Sequence, residues 1–71
     1  MDERVLMPQL DRITQKPDVM GGKPCVRGTR VTVGMLVGQV AAGHSIDHVL
    51  ADFPYIERED VMQALQFAKN G

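Results

Sequence analysis

Between Thr32 and Gly43 the chain reads VGMLVGQVAA, a run in which Gln39 carries the only polar side chain. The run is long enough for a helix, and a helix apolar on nearly every side belongs in the middle of a core or beneath a partner. With 71 residues there is room for one domain, so the rest of the chain must wrap around this segment. Thr32 is placed to cap its N-terminus, and Gly43 suits the left-handed position that closes a helix. Gly34 and Gly38 lie four apart and share a face. Each costs about 1 kcal/mol against alanine in a helix. Close approach of another backbone would explain that cost.

The flanking signals extend the pattern. Ser45 is the next N-cap, for a short helix from Ile46 to Asp52 or Phe53 with Ile46, Val49, Leu50 and Phe53 as its apolar stripe. Pro54 ends it. Phe53-Pro54-Tyr55 reads as a packing plug that sets the angle to a last helix, from about Arg58 to Lys69. There Val61, Leu65 and Ala68 are expected to face inward with Met62 on the flank, and Glu59, Gln63, Gln66 and Asn70 to form the opposite stripe. Upstream, residues 1–11 are expected to be a flexible arm tied down by Val5, Leu6 and Leu10. Arg12 to Thr14 and the segment CVRG read as short extended pieces. Gly21, Gly22 and Gly28 supply turns, with Thr29 completing the last. The expected fold is mainly α: a tri-helical helix-turn-helix or winged-helix-like domain over residues 12–71, with a short extended N-terminal arm.

A single core this small is marginally stable, and the lone Cys25 forms no disulfide within one chain, so oligomerisation is expected. Cys25, between Pro24 and Val26, reads as a small core residue. One cysteine, no leader and no run of about 20 apolar residues point to a cytoplasmic protein without a membrane span. His44 and His48 have no third ligand at metal spacing, so no metal site is expected. Gly21-Gly22-Lys23 lacks the spacing of a phosphate loop. No catalytic pair or triad is legible, and neither an enzyme nor a cofactor is expected.

The formal charge is only −1, yet it is unevenly spread. Arg12 to Arg30 holds five basic residues and one acidic; His44 to Asp60 holds five acidic and one basic. This suits contact between the two halves, within one chain or across a dimer, and equally a basic patch for nucleic acid. Lys23, Arg27 and Arg30, with Arg12, are expected to line a basic ridge around the Gly28 bend. Its arginine forks suit phosphate or carboxylate, or an internal ion pair with the acidic half. Were the last helix to read DNA, Gln63, Gln66 and Asn70 would meet base edges, and Arg58 and Lys69 phosphates. Glu57, Glu59 and Asp60 crowd the end that would enter the groove and argue for a solvated face instead.

Gly22-Lys23-Pro24, Arg27-Gly28-Thr29-Arg30, Ala42-Gly43, Phe53-Pro54 and Glu59-Asp60-Val61 together resemble the domain-of-unknown-function family 433 (DUF433), small antitoxin-like or VapB-like proteins. The resemblance spans about Ile13 to Ala68. It implies a dimeric antitoxin of a type II toxin–antitoxin pair that neutralises a PIN-like ribonuclease and binds operator DNA. A homodimeric interaction module without DNA affinity is the alternative. The resemblance transfers no catalytic role to any residue. Thr32 stands where the family often has proline, His48 where a glutamate would complete a capping box with Ser45, and Glu57 where Ser or Thr more often caps the last helix. The chain ends at Gly71, so toxin contact is expected on the folded surface or the arm.

Overall fold

The computed structural model describes residues 11–70. The expected arm, with Val5, Leu6 and Leu10, lies outside the described residues except for Asp11. The chain runs through strand β1 (Ile13–Thr14), a 3-10 turn (Met20–Gly22), strand β2 (Cys25–Val26), and helices α1 (Val33–Ala41), α2 (Ile46–Asp52) and α3 (Arg58–Asn70). Among the described residues the fold is mainly helical, with three helices and a two-stranded antiparallel sheet in which Ile13 pairs with Val26 and Thr14 with Cys25.

Two residues per strand are too few to stand alone. β2 is held on its other side as well: Val26 N–H donates to the Val31 carbonyl at 2.9 Å, and Cys25 bridges Thr32. Its backbone is thereby satisfied in both directions, which lets Cys25 and Val26 be buried. The Cys25 thiol donates to the Lys23 carbonyl, and the residue fills the core as a small apolar group.

The helix ends follow local rules. Thr32 Oγ1 accepts from Met35 N–H at 3.0 Å, and Ser45 Oγ from His48 N–H at 3.1 Å. Past α1, Gly43 N–H donates to Val40 and His44 N–H to Gln39. Gly43 sits at φ +97°, the Schellman ending that a glycine makes inexpensive. Each helix sends a large, fully buried side chain to the centre: Leu36, Val49 and Val61. Val26, Val31, Val33, Ile56 and Ala64 complete the core, with Ile13, Phe53 and Phe67 against its edge.

Two packing expectations are corrected. On α3 the buried residues are Asp60, Val61, Gln63 and Ala64, while Leu65 is half-buried and Ala68 exposed. The inward face is therefore rotated toward β1, which packs against this helix. Tyr55 is 63% exposed and is no plug; Ile56, 4% exposed, fills that role. Within one chain α1 buries only Val33 and Leu36. Its other side exposes Gly34, Met35, Gly38, Ala41 and Ala42 without a single charge.

Candidate functional site

The charged residues sort into those used internally and those left over. Arg12 is used. Its Nη1 donates to Glu57 Oε1 and, at 3.1 Å, to Asp60 Oδ1. Its backbone N–H donates to Gln63 Oε1 at 2.9 Å, and its carbonyl accepts from Arg27 N–H. Gln63 Nε2 in turn donates to Asp11 Oδ1 at 3.1 Å. Residues 11 and 12 are thus stapled to the start of α3 across about fifty positions of sequence. The hydrogen bond from Gln63 holds the Asp11 carboxyl below its usual range. The Glu57 and Asp60 carboxylates raise the Arg12 guanidinium above its usual value, so it stays charged.

Asp60 has a second task. Its Oδ2 accepts from Glu57 N–H at 2.9 Å, the returning half of a capping box, so α3 is capped although Glu57 replaces Ser or Thr. Arg58 pairs with Asp47 of α2. Both are exposed, so this pair braces α2 against α3 weakly.

These contacts revise the recognition-helix candidates. Gln63 is 5% exposed and its amide is fully engaged, so it does not face a partner. Arg58 pairs with Asp47 but stays exposed. Gln66, Lys69 and Asn70 remain exposed, sharing the helix with the exposed Glu59 and the half-exposed Met62. What stays open on α3 has acidic residues where a groove-reading helix presents its tip.

The residues of the expected basic ridge are divided in space. Arg12 is withdrawn into the clamp. Arg27 Nη1 donates to the Asp11 carbonyl at 3.1 Å. Lys23 stands at the rim of a largely apolar cleft formed with Met20, Pro24, Val33 and Met35, at the start of α1. Arg30 lines a separate, more polar cleft of about 330 Å³ with Thr14, Lys16 and Gly28. Among the described residues, Lys16, Lys23, Arg27 and Arg30 form no ion pair with a carboxylate. The expected link between basic and acidic halves therefore exists among the described residues, and Arg12 makes it; the Arg58–Asp47 pair lies within the acidic half.

The Arg27–Arg30 turn is built by its small residues. Gly28 takes φ +78°. Thr29 Oγ1 donates to the Val26 carbonyl at 2.9 Å and accepts from Val31 N–H at 3.0 Å, so Thr29 holds the turn rather than a ligand. Gly22 at φ +87° and Met20 at φ +49° make the preceding loop left-handed on either side of Gly21. Met20 is the one side chain there with a positive φ, and the glycine signal gave no hint of it.

Sequence reasoning passed over Asp11, Lys16 and the inward roles of Asp60 and Gln63. Asp60 and Gln63 lie three apart and so share a helix face beside Val61 and Ala64, but polar residues at that spacing fit a solvated face equally well, so no local signal marks them as buried. Among the described residues there is no group of three or more His, Cys, Asp or Glu suited to a metal. His44 and His48 stack at 4.4 Å on the surface. No helix of the described residues is long and apolar enough to cross a membrane.

A family model described as "Protein of unknown function (DUF433)" matches residues 13–68. The uncharacterized protein y4eO of Sinorhizobium fredii (strain NBRC 101917 / NGR234) is 42% identical over 57 residues, covering 80% of this chain and 26% of that protein. The chain thus spans about a quarter of that relative's length. The crystal structure of a DUF433 member from Anabaena variabilis ATCC 29413 is 30% identical, with a TM-score of 0.82 over 97% of this chain and 67% of the other.

Proposed function

We propose a function from one premise: this chain belongs to the DUF433 family of proteins of unknown function. In our reading it is the antitoxin component of a type II toxin–antitoxin pair. It neutralises a PIN-like ribonuclease by direct binding and regulates its own operator by touching DNA. The observation that carries this reading is the set of four exposed cations at Lys16, Lys23, Arg27 and Arg30, which no carboxylate among the described residues neutralises. A nuclease that holds metal with clustered carboxylates is a natural counterpart to arginine forks on a rigid turn. The apolar cleft beside Lys23 adds a place for a partner's side chain.

The test is a pull-down from the native host with the tagged chain, comparing nuclease-treated and untreated lysates. Recovery of a small PIN-like nuclease from both lysates supports the reading. Its loss with Arg27→Ala plus Arg30→Ala assigns the contact to the turn. No recovery from either lysate counts against toxin pairing.

The second reading, a homodimeric interaction module, is favoured by the uncharged exposed side of α1. A Cβ at Gly34 or Gly38 on that side meets no backbone among the described residues within 4 Å outside its own helix and immediate neighbours. Sedimentation over a range of concentrations tests it, with a monomer throughout as the refuting result.

A further inference from the structure

We infer that the cleft between β1 and the Arg27–Arg30 turn binds a phosphate group of a nucleic-acid backbone. The inference needs no toxin and goes beyond the antitoxin reading in naming which element touches nucleic acid. The cleft is lined by Thr14, Lys16, Val19, Gly28, Thr29 and Arg30. It contains two cations and no carboxylate. Neither Lys16 nor Arg30 makes a side-chain hydrogen bond or ion pair among the described residues; the acids that pair do so with Arg12, His48 and Arg58.

The backbone contributes as well. A Cβ built on Gly28 meets nothing within 4 Å, so the space above this peptide is open and a ligand can reach the chain directly. The N–H groups of Gly28 and Arg30 donate to no acceptor among the described residues, whereas those of Thr29 and Val31 are spent on closing the turn. A compact ammonium and a guanidinium fork lining one hollow, with two unspent amides in the same turn, suit a tetrahedral anion with several acceptor oxygens. Val19 supplies an apolar wall against which a flanking sugar can rest. Both cations are exposed, so such a contact positions a backbone rather than reading sequence, and it weakens with salt. The acidic start of α3 removes the competing route through the last helix.

The experiment uses the full chain, labelled with nitrogen-15, and follows its amide signals on addition of a short DNA duplex of arbitrary sequence. Inorganic phosphate and poly-glutamate of matched charge are run as separate probes. The expected result is that duplex moves the amides of Lys16, Gly28, Thr29 and Arg30. Lys16→Gln plus Arg30→Gln should abolish these shifts and lower the salt slope of binding by about 0.9. Unchanged signals from Leu36, Val49 and Val61 verify that the variant is folded. Shifts confined to the exposed side of α3, or no shift at about 50 mM salt, overturn the proposal. Equal response to poly-glutamate overturns it too, because the cleft would then sense charge alone. Saturation by inorganic phosphate as readily as by duplex overturns the nucleic-acid source. A failure here leaves toxin capture standing, since that is read by the pull-down.

Discussion

Replacing Gly38 by alanine places one methyl group on the exposed side of α1. A Cβ at this position meets nothing within 4 Å outside its own helix and immediate neighbours, so the methyl introduces no clash. Gly38 is absent from the residues with positive φ, so alanine adopts its backbone without strain. Helix propensity then favours alanine by about 0.8–1 kcal/mol, and the site buries too little new area to add much. A domain of this length holds about 4–11 kcal/mol in total, so the gain is a readable fraction. With a urea dependence near 1 kcal/mol per molar, the unfolding midpoint should rise by about 0.8–1 M. The assay is urea unfolding followed by circular dichroism at two widely separated protein concentrations. At the lower concentration Gly38→Ala raises the midpoint. If two copies close over α1, the methyl holds their backbones apart, and the gain shrinks or reverses at the higher concentration. A lower midpoint in the dilute sample would refute the reasoning, because it would mean that Gly38 is not in open space in the isolated chain.

Arg12→Ala leaves the buried Asp60 carboxylate without its guanidinium and should lower the unfolding midpoint, with Glu57→Ala costing far less because that carboxylate is exposed; equal effects of the two variants in chemical unfolding would contradict the Arg12–Asp60 contact. Gly28→Ala meets no neighbouring atom but keeps φ at +78°, so it should cost about 1–2 kcal/mol from backbone strain alone, read as a drop in melting temperature. The Asp11 carboxyl is lowered from its ordinary 3.8 in the folded chain. Its contribution is therefore present above about pH 4 and lost as pH falls through the folded value. Asp11→Asn should flatten the acid limb of a midpoint-against-pH curve, and an unchanged limb would show that the bond from Gln63 does not persist in solution.

Local chemistry made much of the fold legible. Thr32 and Ser45 cap helices because a hydroxyl reaches an amide three residues on, a contact set by the residues themselves. Gly43 ends α1 and Pro54 follows α2 for equally local reasons. The apolar run of α1 and the candidate cations of the Arg27–Arg30 turn could be read in the same way. Gln63, Asp60 and Tyr55 could not. A polar residue three positions from another looks solvated until a distant segment arrives with matching groups. Here β1 brings Arg12 to the start of α3, and burial follows from that pairing.

The sequence by itself determined where the helices begin and end and which residues carry charge, because those properties depend on neighbours along the chain. Only the tertiary structure decided which charges cancel. Arg12 is consumed by carboxylates more than forty positions away in sequence, while Lys16 and Arg30 line one cleft and Lys23 lines another. Ion pairing falls off with distance in space, and the path of the chain between its ends sets that distance.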